Sequence, residues 1–361
     1  MLIGHTGDLH IKDGGVVTLE EQAEVLGGIG DPGFVSLLVA GDVFDAASTP
    51  AERNTAIEVF TRWADLHPVI IVRGNHDRPG DLQFLARLRT KHMIHVAEGF
   101  EIYKTQHCNY ILMPWPNRAR VAAWLPEPDR LKVDAAAGYA VRALIRGAKA
   151  TVTGQTDDPL IFVGHLEIGE ATMDSGQPIA GHCDIDVALD DLLELEAEYY
   201  ALGHIHKPQT LDGRVRYAGS PRQMSFGEAA GHGYSVYNTV TKEITHVELP
   251  SPQFTTVDAE WDGTGLRMNP PSGLLVGDPV RLRYTAPESE RAQAREAAER
   301  FAAEFTRCKL EPKILIGDRE HRSEIRAAIT PADKLRSYWQ SKDATPERAE
   351  TILQKLNVLH S

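Results

Sequence analysis

At 361 residues the chain exceeds the usual size of a single domain, so one large domain with one or two small additions is expected. Its 42% hydrophobic and 25% charged residues are those of a soluble globular protein, and no apolar run has the length of a membrane helix. A formal charge of −13 counts against a protein that passively coats nucleic acid, but not against an enzyme whose bound divalent metals supply positive charge locally.

In chain order, short apolar runs alternate with longer amphipathic segments. Strands are expected over Met1 to Thr6, Phe34 to Ala40, Val69 to Arg73, Ile111 to Met113, Leu160 to Val163 and Tyr199 to Leu202. Helical patterns cover Thr49 to Leu66, Ala135 to Ala150 and Val187 to Ala197, the first opened by an N-cap Thr followed by Pro50. This alternation points to an α/β domain with a largely parallel sheet. Val215 to Ala218, Gly233 to Tyr237 and Glu243 to Leu249 follow without helices between them and read as a more antiparallel second sheet. Leu249-Pro250-Ser251-Pro252 reads as a linker. Beyond it, strands over Phe254 to Trp261, Pro279 to Tyr284 and Lys313 to Ile316, with a helix over Glu288 to Arg307, predict a small α+β unit. The expected domains are 1–250, 251–325 and a helical tail over 326–361 that carries Tyr338 and Trp339.

Five motifs directly follow expected strands: Gly7-Asp8-Leu9-His10, Gly41-Asp42-Val43-Phe44-Asp45, Gly74-Asn75-His76-Asp77, Gly164-His165 and Gly203-His204-Ile205-His206. In a parallel sheet the carboxyl ends of the strands share one edge, so residues far apart in sequence converge there. In an extended segment side chains two apart point the same way, which pairs Asp8 with His10 and His204 with His206. Each motif alone is weak; five in this order make a metal site. The set Asp8, His10, Asp42, Asn75, His165, His204 and His206 mixes carboxylate and imidazole without thiolate, which suits Mn, Fe or Zn better than Ca. Seven ligands are too many for one ion and suit two that share a carboxylate.

These motifs resemble those of the calcineurin-like metallophosphoesterase superfamily, over roughly residues 1 to 227. Within it the likeness is to SbcD-type nuclease subunits of double-strand-break processing complexes. Tyr200 to Gln209, Gly219-Ser220-Pro221-Arg222 and Ser225-Phe226-Gly227-Glu228 carry that likeness. The resemblance implies a β-sandwich flanked by helices, with a small α+β DNA-capping domain after Pro252. It implies Asp8, His10, Asp42 and His206 on a first metal, and Asp42, Asn75, His165 and His204 on a second, with Asp42 bridging. Manganese is the expected metal, iron and zinc the alternatives. His76 is then the group that steadies the phosphate and assists the leaving oxygen, and Asp45 is placed to hydrogen-bond His76. The resemblance further implies DNA as substrate, an SbcC-like ATPase as partner and a homodimer.

Other residues carry weaker readings. Arg73, Arg78, Arg87, Arg89 and Lys91, then Arg214, Arg216 and Arg222, form basic clusters, of which Arg78 and Arg222 are the candidate DNA contacts. Trp115 stacks a base or packs. His5, His67, His92, His95, His107, His182 and His232 have surface or strand roles. Cys108, Cys183 and Cys308 are odd in number and far apart, and with no signal peptide evident the expected setting is the reducing cytoplasm, away from membranes. Three functions stay open: a DNA exonuclease and endonuclease, a phosphatase or phosphodiesterase for a small molecule or phosphoprotein, and a silent scaffold. No Gly-x-x-x-x-Gly-Lys-Ser/Thr loop occurs, so any ATP dependence belongs to a partner.

Overall fold

The runs Phe34–Val39 and Val69–Val72 are apolar at nearly every position because both of their faces are covered. They are strands at the parallel centre of the first of two six-stranded sheets in a computed structural model. That model describes residues 1–116, 133–152, 158–172, 185–228, 231–271 and 273–315. The expected tail over 326–361, with Tyr338 and Trp339, lies outside the described residues, as do His182 and Cys183.

The first sheet runs Ile244–Glu248, Gly233–Asn238, Leu2–Thr6, Phe34–Val39, Val69–Val72, Ile94–Ala97. Its last four strands are parallel, and the first two join antiparallel. The second runs Gln209–Leu211, Val215–Tyr217, Tyr199–Gly203, Leu160–His165, Asn109–Met113, Glu101–Lys104, parallel through its middle four and antiparallel at both edges. The late strands therefore do not build one antiparallel sheet. Val215–Tyr217 joins the second sheet, whereas Gly233–Asn238 and Ile244–Glu248 extend the first.

The sheets pack face to face. Ile3, Leu38, Ile70 and Val72 of the first meet Tyr110, Leu112, Ile161, Val163 and Tyr199 of the second. Such a core has room for polar groups only as pairs. Ser36 Oγ and Tyr110 OH are 2.9 Å apart, and His5 Nδ1 and Tyr199 OH 2.8 Å. Helices Leu19–Gly27 and Pro50–Ala64 cover the outer face of the first sheet. Each starts with a reciprocal capping box, Thr18 with Glu21 and Thr49 with Glu52. Helices Val133–Val152 and Leu189–Leu193 contribute to the core outside the second sheet. The helix expected over Val187 to Ala197 shortens to five residues. Asp186–Val187 pairs with Glu167–Ile168 as a strand, and Glu196, at φ 59°, turns the chain into the next strand.

The chain divides into two compact units, Met1–Thr255 with Gly277–Pro279, and Thr256–Val276 with Val280–Ser361. In the second, a four-stranded sheet runs Leu266–Met268, Thr255–Trp261, Pro279–Pro287, Arg307–Leu315. Period-two alternation puts Val280, Leu282, Tyr284 and Ala286 in one core with Ala294 and Ala298 of helix Arg291–Ala302. The helix expected to reach Arg307 ends at Ala302, because Thr306 N donates to Val276 O and Arg307 starts a strand. Among the described residues no helix is long and apolar enough to cross a membrane.

Candidate metal centre

All five motifs leave strand ends on one edge of the sandwich. Asp8 and His10 follow Leu2–Thr6, Asp42 and Asp45 follow Phe34–Val39, and Asn75 and His76 follow Val69–Val72. His165 ends Leu160–His165, and His204 and His206 follow Tyr199–Gly203. Three groupings result among the described residues: Asp8 with Asp42 and His165, all buried; Asp8 with His10 and the half-buried His206; and, toward the surface, His10 with Asp45 and the exposed His76, each with its ligand atoms within 4.8 Å of one another. Asp42 lies between the two sides: its Oδ2 is 3.8 Å from His10 Nε2 and 3.3 Å from His165 Nε2. Asn75 Oδ1 is 2.7 Å from His165 Nε2 and 3.2 Å from His204 Nδ1, and the Nε2 atoms of His206 and His10 are 3.2 Å apart. All seven sequence-derived ligands are thus brought together.

The convergence does not come from extended backbone. Asp8 (φ 51°), His10 (44°), Asp42 (51°) and His204 (105°) all have positive φ, a region that side chains enter rarely and at a cost. The strain is held by backbone bonds: Asp8 N donates to Gly41 O and His10 N to Asp42 O. The carboxylates take part too. Asp8 accepts from His204 N at 2.9 and 3.0 Å, Asp42 from His76 N at 2.8 Å, and Asp77 from Phe44 N at 3.0 Å and Gly74 N at 2.9 Å. Asp77 is therefore the clip between the second and third motifs. The glycines make room. A Cβ at Gly74 would strike Asp42 Oδ1 and N, one at Gly203 the Ala40 carbonyl, and one at Gly41 His165 Nδ1.

Charge at the site is tightly coupled. Burial pushes the Asp8 carboxyl up. Burial pushes Asp42 the same way, but the His165 imidazole overrides it and holds Asp42 well below the ordinary range. Burial opposes a charge on His165 and His204. The former is nonetheless raised to about 9 by Asp42, whereas the latter falls to about 3. These groups fit a divalent cation. The His165 Nδ1–H donates to Ala40 O at 2.7 Å, so Nε2 faces the oxygens of Asn75 and Asp42 with a lone pair unless it takes a second proton. A cation answers that need in place of the proton, and Asp8 and Asp42, almost wholly buried, supply the compensating charge.

Several sequence expectations change. The Asp45 carboxylate does not hold His76: it binds Lys12 Nζ at 2.6 Å and faces His10 Nδ1 at 3.4 Å, and these two hold its pKa low. His76 Nδ1 instead donates to the Asp45 backbone carbonyl at 2.7 Å. Arg222 is not a surface contact for DNA. It is 5% exposed, and Nη2 donates to His10 O at 3.0 Å and Gln22 Oε1 at 3.1 Å, so it braces the first motif from below. Arg73 and Arg216 of the basic clusters are also interior, while Arg78 is exposed. Trp115 packs on the site, its ring 4.9 Å from His204 and 5.7 Å from His165. Two carboxylates were missed. Glu167 is buried with Oε2 3.6 Å from His204 Nε2, and Glu228 Oε1 is 3.4 Å from His206 Nδ1. The run Ser225 to Glu228 was the only signal for the second, and it carried no role. His232, expected at the surface or in a strand, is buried in a loop against Ser220 Oγ at 2.9 Å.

The family model for calcineurin-like phosphoesterases matches residues 1–208. The chain belongs to the calcineurin-like phosphoesterase family. Similar to this calcineurin-like phosphoesterase is the SbcD component of the SbcCD nuclease of Bacillus subtilis (strain 168), 30% identical over 263 residues, 65% of each chain. The protein of the same name from Rhodobacter capsulatus is 28% identical over 293 residues, 70% of each chain. That of Escherichia coli K12 is 26% identical over 226 residues, 55% of this chain and 53% of its own. The phosphoesterase thus spans about two thirds or less of the length of two of these three relatives and 70% of the third.

Proposed function

We propose that this phosphoesterase is a DNA nuclease, both exonuclease and endonuclease, that hydrolyses phosphodiester bonds with two divalent metals and serves DNA repair or recombination. The observation that carries the reading is Asp42. Its carboxylate lies between His10 on the Asp8–His206 side and His165 on the Asn75–His204 side, as a bridge between two sites requires. Asp8, His10, Asp42 and His206 would hold one ion and Asp42, Asn75, His165 and His204 the other, with manganese the expected metal and iron or zinc the alternatives. Two such ions supply Lewis acidity toward the phosphate and lower the pKa of water.

The chain's own residues do the rest. His76 is exposed at the rim. Its Nδ1–H is engaged by the Asp45 carbonyl, which leaves Nε2 as the ring atom that would steady the phosphate and assist the leaving oxygen. Lys12 and Asp45 orient His10. Asn75, His76 and Arg78 are all exposed, which leaves them accessible to a long substrate. The names of the curated relatives support DNA as that substrate and an SbcC-like ATPase as partner. The resemblance supports a homodimer, and the three scattered cysteines a reducing, cytoplasmic setting. It also supports a nuclease domain over 1–250, a DNA cap over 251–325 and a tail over 326–361.

The test is digestion of linear duplex, hairpin and single-stranded DNA with manganese, beside a chromogenic phosphodiester. Wild type should cut DNA, and His76→Ala should lose about 10²–10⁴-fold in turnover while keeping its metals. Hydrolysis of the small ester alone would favour a small-molecule or phosphoprotein phosphoesterase. Loss of metal from His76→Ala would make His76 a ligand.

A further inference from the structure

The loop from Gly219 to Glu228 reaches the metal centre at two places, yet none of its residues belongs to the seven ligands. Gly219 turns at φ 78°, where a Cβ would strike Pro208 and the His206 carbonyl, so the loop folds directly against the last motif. Ser220 N then donates to His206 O at 3.0 Å, and Arg222 reaches His10 O. At its far end Glu228 is held on both sides. Its carbonyl accepts from Gln223 Nε2 at 2.9 Å, and its Oε2 accepts from Met224 N. Oε1 is what remains, and it faces His206 Nδ1 at 3.4 Å, while Nε2 of the same ring points at His10. His204 has the same arrangement in reverse. Nδ1 faces Asn75, and Nε2 faces the buried Glu167 carboxylate at 3.6 Å.

We propose that Glu228 is a positioning residue: accepting the Nδ1 proton of His206, it fixes the tautomer that leaves the Nε2 lone pair for the metal, and Glu167 does the same for His204 through the opposite nitrogen. The physical ground is that a neutral imidazole carries one proton, so an acceptor placed at one ring nitrogen decides which nitrogen is left to bind a cation. A carboxylate behind the ring also makes the liganding nitrogen more basic. At 3.4 Å the Glu228 contact is a long hydrogen bond, whereas at 3.6 Å Glu167 faces His204 as a nearby carboxylate and not yet as a hydrogen-bond acceptor. The proposal rests on the two-metal reading above. It gives the Ser225 to Glu228 run a role that the ligand set leaves unassigned.

Glu228→Gln keeps the shape but has a single acceptor oxygen for two donors, His206 Nδ1–H and Met224 N–H. Manganese binding by titration calorimetry should weaken by about 10–100-fold. Nitrogen-15 NMR of the metal-free protein should show His206 moving from the Nδ1–H toward the Nε2–H tautomer, a change that a merely structural role would not produce. Should Glu228→Gln fail to fold, Glu167→Gln makes the parallel test, with His204 moving from Nε2–H toward Nδ1–H. Metal affinity within twofold of wild type together with unchanged tautomers would overturn the proposal. Failure of the underlying reading looks different: the wild-type protein would then bind fewer than two manganese ions.

Discussion

A methyl group at Gly74 has nowhere to go. Its Cβ would meet both the backbone nitrogen of Asp42 and its carboxylate, the one main chain and the other held by His76 N, neither able to swing aside as the tip of a long side chain would. Gly74→Ala is therefore expected to cost about 1–3 kcal/mol from overpacking and to displace the bridging carboxylate. Urea midpoints and metal content measured together check this. A variant that keeps both stability and metal would show that the Asp42 turn is softer than its contacts indicate. The same scale explains why four of the candidate ligands sit at positive φ. The sites demand side chains, so glycine cannot be used, and the strain is carried by bonds between motifs.

At the scale of loops and strands, the two candidate DNA contacts separate. Arg222 supports the His10 loop from the interior, so Arg222→Ala removes the donor to the buried His10 carbonyl, while Gln22 Oε1 keeps its bond from Lys12 N, and is expected to cost about 1.5–3 kcal/mol of stability. It should leave the salt dependence of DNA binding unchanged. Arg78→Ala should do the opposite, leaving stability alone and lowering the slope of log affinity against log salt by roughly 1. Identical salt slopes for the two variants would contradict the assignment. All seven clustered ligands were legible in the sequence because each strand end announces itself by an apolar run stopping at a glycine. What was not legible is how they converge. Positive φ at Asp8 and His10 replaces the extended pairing that their spacing suggests. The Asp45 contact with His76 runs through a backbone carbonyl, which no side-chain pattern encodes. Strand order was hidden for a similar reason: Val215–Tyr217 and Gly233–Asn238 read alike, and only long-range pairing sends them to different sheets.

At the scale of the whole molecule, the face between the sheets carries a pH dependence. His5 of the first sheet contacts Tyr199 OH of the second, and complete burial, then the nearby Arg216, lowers its pKa to about 3. The unfolded chain takes up that proton near pH 6.5, but the folded chain takes it up only near 3. The contribution is thus full above pH 6.5 and is lost as pH falls through this window. Wild type should lose up to about 1.4 kcal/mol per pH unit more than His5→Gln in this range, read from urea unfolding at several pH values. Parallel curves would show that His5 does not stay neutral between the sheets.

The most direct test of the account is a crystal of the protein soaked in manganese, with anomalous scattering recorded for wild type and Asp42→Ala. Wild type should give two peaks, one against Asp8, His10 and His206 and one against Asn75, His165 and His204, both touching Asp42, and the variant should give neither. A single peak, or a full pair that survives in Asp42→Ala, would contradict it.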